Sequence, residues 1–171
     1  MKLLLRITLV SILFIASKTN TIAQVKIDET NLLTRLKGLI NLNSDDAEKY
    51  FTDQHYTRLS KQTVAQPTYS MDLYKFKIQD QTSSYLLSAI AGSINAAGYI
   101  TYNEDEYQAD IKIFKDAGFV PGEASSGSGQ TVYAKENMRV VIQQKTAGGK
   151  VFYVMMLSDI AKTAALIGAK K

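Results

Sequence analysis

The 171-residue chain has no cysteine, no tryptophan, two prolines and a single histidine. Without cysteine there are no disulfides and no thioether-linked lipid anchor, so the fold rests on its core alone. Pro67 and Pro121 stand far apart, and nothing resembles an interdomain linker. A long apolar run is missing too. Residues 7–16 are apolar except for Thr8 and Ser11, which falls short of the roughly 20 residues of a membrane span.

That run sits in a segment with the three parts of a secretory leader. Lys2 and Arg6 make a positive start, the apolar stretch follows, and Thr21 and Ala23 supply small residues at the −3 and −1 positions of a cleavage site. Residues 1–23 are therefore expected to be a signal peptide, with the mature chain starting near Gln24 in the periplasm or outside the cell. Lys2, Arg6 and Lys18 would leave with it and no acid would, so 20 basic against 16 acidic side chains become 17 against 16. The basic balance is a property of the leader. The mature chain lacks the positive excess of a nucleic-acid-binding domain, and its only pure basic run is Lys170 and Lys171. The mature length, 171 less 23, is 148 residues. A domain of that size buries about 70% of its unfolded surface, enough for a fold without disulfides.

Catalytic and metal-binding patterns are also missing. His55 stands alone, with no motif supplying an orienting acid and a nucleophile, and reads as a residue at a helix-to-strand junction. The glycine- and serine-rich stretch 122–130 leads into an expected strand rather than a helix and lacks the Gly-Lys-Ser/Thr of a phosphate loop. No serine has glycine two residues before and two after it, as a nucleophile elbow requires. Glu104, Asp105 and Glu106, like Asp45, Asp46 and Glu48, lack the alternating oxygen ligands and the glycine of a calcium loop. Their place at expected helix starts, where the helix dipole favours negative charge, accounts for them. No cofactor or metal is expected, and the sequence leans away from an enzyme.

What the chain does contain is self-similarity. Residues 50–56 match 113–119 with Phe51 and Asp53 kept as Phe114 and Asp116. Residues 69–79 match 133–143, pairing Tyr69 with Tyr133 and Ile78 with Ile142. Residues 88–93 match 158–163. Three matches in one order, with the offset widening at the Gly148 and Gly149 turn, point to a duplication. The repeats are expected to span about 30–98 and 99–168 of a single domain, 24–171.

Each repeat reads as helix followed by antiparallel meander. In the second, Asn103 caps a helix with Tyr107, Ile111 and Phe114 at helical spacing, ended at Gly118. Strands are expected at 119–120, 131–134, 138–145 and 150–157, and Ser158 is expected to cap a closing helix. In the first, Leu32, Leu33, Leu36, Leu39 and Ile40 form a helical stripe, and Ser44 is expected to cap a second helix. Strands near 56–59, 68–70, 73–79 and 83–87 precede a small-residue helix at 88–97. The fold class is thus α+β: two tandem helix-plus-antiparallel-meander repeats, joined into one sheet with helices packed on one face. In architecture this is similar to the beta-lactamase inhibitory protein family, which repeats a helix-loop-helix plus a small sheet; this chain has no cysteine to match that family's disulfides.

Ten tyrosines are the one marked surplus. Tyr combines large apolar area with a polar tip and suits interfaces as well as half-buried strands. Tyr69, Tyr74, Tyr133 and Tyr153, with Ser126 and Ser128 of the flexible loop, are the candidate partner-contacting residues. The expected function is an exported, non-enzymatic binding or accessory protein of the cell envelope. It would contact a protein or other envelope macromolecule through a sheet face or rim loops, with no nucleic acid and no membrane span after cleavage. The alternative is a small-ligand carrier or hydrolase with a cleft between the two repeats.

Overall fold

The computed structural model describes residues 26–78, 82–122 and 129–169; the expected leader lies outside them. The chain is α+β. Its elements are α1 (Leu32–Ile40), α2 (Ser44–Asp53), β1 (Tyr56–Ala65), β2 (Ser70–Ile78), β3 (Ser84–Ile90), β4 (Ser93–Thr101), α3 (Glu104–Asp116), β5 (Val120–Pro121), β6 (Gln130–Lys135), β7 (Met138–Ala147), β8 (Lys150–Asp159) and α4 (Ile160–Gly168). The strands form one antiparallel sheet in the order β1-β2-β3-β4-β8-β7-β6-β5.

Local chemistry explains the helix starts. Asn31 and Thr34 close a reciprocal capping box on α1, and all five residues of its apolar stripe are buried. Asn43, one residue before the expected Ser44, caps α2 by accepting from the Asp46 N–H. Asn103 accepts from the N–H groups of Asp105 and Glu106 at the start of α3. Asp159 rather than Ser158 caps α4, because the β8 ladder with β7 runs on through Asp159.

The core lies between the sheet and α1, α2 and α3. Phe51 of α2 stacks on Phe76 of β2 with ring centroids 4.3 Å apart. Phe114 of α3 is fully buried in the same cluster, with Leu87, Ala97, Val140, Ile142, Met155 and Leu157 from the strands. The two halves of the sheet meet at β4 and β8, where Ala97 faces Leu157, Gly98 faces Met156 and Tyr99 faces Met155. Gly98 is required there: a Cβ would sit 2.8 Å from the Met155 carbonyl and 2.8 Å from the Met156 sulfur.

Several expectations need correction. Residues 88–97 are not a helix but the end of β3, a two-residue turn and the start of β4. Ala91 and Gly92 both take positive φ, 51° and 75°, the geometry of a tight hairpin turn. Burial on both faces of this central pair overrides the helix preference of its alanines. Residues 70–78 form β2 as one unbroken strand, whereas 133–143 turn back at Glu136 and Asn137 between β6 and β7. Residues 88–93 likewise turn within a hairpin, while 158–163 pass from strand to helix. Matching residue types at those two places therefore do not mark matching positions. The helices are not all on one face. Thr163 of α4 accepts from Asn95 Nδ2, and Asn95 Oδ1 accepts from Ser88, which points away from the main core. Helix α4 thus covers one corner of the opposite face.

Candidate functional site

Of the residues singled out from sequence, the described tyrosines do not assemble into one exposed surface. Tyr74, Tyr133 and Tyr153 are buried on the helix-covered face. Tyr153 stacks on Tyr107 of α3 at 4.1 Å and Lys115 of α3 lies over the Tyr133 ring, so these tyrosines anchor helices. Tyr69 is half-buried in the turn between β1 and β2. Ser126 and Ser128 lie outside the described residues. His55 is exposed just beyond α2 with φ 61°. It belongs to the helix-ending turn, as Gly118 does after α3 with φ 84°.

The sheet face opposite α1, α2 and α3 is different in kind. Side chains alternate along a strand and residues paired across strands share a face. Because Tyr74 and Phe76 point into the core, Lys75 and Lys77 point to the open side, together with their β3 partners Leu86 and Ser84. The same parity places Arg139, Lys145 and Lys150 there, from β7 and β8. No described strand position on this face is acidic, and none of the five cations makes a salt bridge among the described residues. A bulge in β1 between Arg58 and Ser60 inserts Leu59 on the same side. Leu59, Ile100, Tyr102 and Phe152, flanked by Lys75 and Lys77, line a recess of about 250 Å³. A second recess, about 270 Å³, adjoins it between Lys77, Tyr102 and Lys150. Leu59 and Tyr102 remain 52% and 45% exposed, so the recess keeps apolar surface open to solvent. Strand parity is the sequence signal for this site: Lys75 shares a side with Leu73, opposite Tyr74.

A second polar region lies on the helix side, where the start of α1, the first half of α3 and strands β3 and β4 enclose a cleft of about 200 Å³. Glu29 accepts from Tyr50 at 2.6 Å, and Arg35 approaches Glu29 at 3.7 Å while donating to the Tyr85 hydroxyl. Both oxygens of Glu106 are engaged, by Tyr99 at 2.9 Å and Thr101 at 2.5 Å. Asp110, one helical turn further on, is 7% exposed. Burial first, and the Glu106 charge second, push its carboxyl up to about 7, against the opposing pull of Arg35. Burial also raises the Tyr99 and Tyr85 hydroxyls, the latter to about 12. No group of three or more histidine and carboxylate side chains among the described residues is placed to hold a metal ion. The sequence accounts for Glu106 by the helix dipole alone and gives no sign of Asp110, whose cleft neighbours Glu29 and Arg35 are remote in sequence.

Comparisons with protein-family models, with curated proteins and with solved structures find no match for this chain.

Proposed function

We propose that the chain is an exported binding or accessory protein that engages an acidic polypeptide partner through its open sheet face. The observation that carries this reading is a face with no described acidic strand residue and five cations, Lys75, Lys77, Arg139, Lys145 and Lys150, that make no salt bridge among the described residues; Lys75, Lys77 and Lys150 line its recesses. Anionic side chains of a partner supply the missing charge, and its apolar residues fill the recesses, which are of side-chain size. A membrane surface fits less well, because Leu59, Ile100, Tyr102 and Phe152 line hollows instead of forming a protruding apolar anchor. Charge complementarity of this kind raises association rates and weakens with salt.

The leader expected over residues 1–23 supports an envelope or extracellular setting, and N-terminal sequencing of the native protein beginning near Gln24 would agree with it. The element order supports an ancestral duplication, narrower than the sequence matches suggest: helix then four strands, α2 with β1 to β4 and α3 with β5 to β8, meeting at β4 and β8. Phe51 with Phe114, and His55 with Gly118, then hold equivalent places.

The binding reading is tested with a synthetic peptide alternating glutamate with phenylalanine and leucine, titrated into the mature protein at low and high salt. Saturable, salt-sensitive binding is expected, and loss in Lys75→Glu/Lys150→Glu with its melting temperature held. No binding, or binding indifferent to the two substitutions, would overturn it. Binding to phosphatidylglycerol-doped vesicles without peptide binding would overturn it in favour of a lipid surface.

A further inference from the structure

We infer that the cleft between α1 and α3 is a binding site for a small organic ammonium ion. This stands apart from the sheet-face reading and rests on different residues. The cleft brings three carboxylates, Glu29, Glu106 and Asp110, against one guanidinium, Arg35. Glu29 is matched by that guanidinium. Glu106 is satisfied in hydrogen bonds, but by two neutral hydroxyls that leave its charge uncompensated. Asp110 is 93% buried, taken from its 7% exposure, lines the cleft, and accepts no hydrogen bond from any described residue. Its oxygens open into the cleft instead of being sealed from it, since the one fully buried unpaired side-chain polar atom among the described residues is Arg35 Nε, so a donor arriving from outside can reach them.

A primary ammonium meets the requirement. It is compact, carries three donors and a full positive charge, and balances Glu106 and Asp110 together. Tyr85 and Tyr99 also line the cleft, the Tyr85 ring already carrying the Arg35 guanidinium 5.8 Å from its centroid. The cleft volume of about 200 Å³ admits a small amine with a short organic tail and excludes a large one. Binding requires ionised Asp110. The groups that set its ionisation are Glu106 on its own helix, Arg35 from α1 and, around the cleft, Glu29, Tyr85 and Tyr99. Uptake of the cation therefore expels the Asp110 proton, and affinity rises with pH up to neutrality by as much as about tenfold per unit.

The test uses the mature protein and ethylammonium, with n-propanol as a neutral mimic of similar size. Tyrosine emission is the readout, and it is not masked by tryptophan, which the chain lacks. Saturable ethylammonium binding near pH 8 is expected, weakened at least about tenfold near pH 5, with none for n-propanol. Asp110→Asn should abolish it and Glu106→Gln should weaken it, and the fold of each variant is checked by circular dichroism. Absence of saturable binding to the wild-type protein at pH 8, equal binding of n-propanol, or undiminished binding in folded Asp110→Asn would each overturn the assignment.

Discussion

At the scale of single residues, the most informative group is Asp110. Its carboxyl is pushed up to about 7 from the ordinary 3.8, so the folded protein keeps a proton that the unfolded chain has already released. Stability attributable to this group is therefore present in acid, falls as pH climbs from about 4 to 7, and is flat above. Asp110→Asn removes that dependence. Urea melts should show the variant gaining on the order of 2–4 kcal/mol over wild type at pH 8 relative to pH 4; an equal gap at both pH values would contradict it. His55 offers a second case. A non-glycine residue at φ 61° is strained by about 1 kcal/mol, and the histidine is exposed. His55→Gly should therefore raise stability slightly and leave peptide binding intact, whereas a catalytic or ligand-binding histidine would lose function. Phe51→Ala and Phe114→Ala each remove a fully buried ring and should each cost about 3–5 kcal/mol.

At the scale of elements, helices were more legible in the sequence than the central hairpin. The stripe of α1 and the Asn103 cap of α3 are local signals, and they lie where spacing and capping chemistry put them. The pair β3 and β4 misled because Ala89, Ala96 and Ala97 read as small helix-friendly residues. Their size instead reflects a strand pair packed from both sides and joined to β8 without room for a Cβ at Gly98. Gly98→Ala should accordingly destabilise by about 1–3 kcal/mol, as overpacking against a fixed backbone does. A variant melting like wild type would show the seam to be looser than described. Strand parity decides which side a tyrosine faces, but only the helices decide which side is covered, and Tyr74, Tyr133 and Tyr153 lie on the covered side. The outer edge of β1 is managed by charge, with Arg58 paired to Glu48 and Lys61 to Asp72, and by the bulge at Leu59.

At the scale of the molecule, charge is segregated. Helices α2 and α3 carry Asp45, Asp46, Glu48, Asp53, Glu104, Asp105, Glu106, Asp110 and Asp116 against only Lys49, Lys112 and Lys115, while the open sheet face carries five cations. The net charge of the chain conceals this, which is why composition gave no hint of an anionic partner. One core cluster runs from Leu33 and Phe51 through Ala97 to Phe114 and Leu157, so both halves of the sheet share it. Phe51→Ala should therefore unfold in a single cooperative transition; two separate transitions would mean that the halves fold independently. The open face itself is tested most directly by methyl NMR during titration with the acidic peptide. Methyls of Leu59, Leu86, Ile100, Val154 and Met156 face the open side, and those of Leu87, Val140, Met155 and Leu157 face the core. Progressive, saturable shifts confined to the first set are the result this account predicts. Shifts centred on the core set and the helices, or no shifts at concentrations that saturate binding, would contradict it.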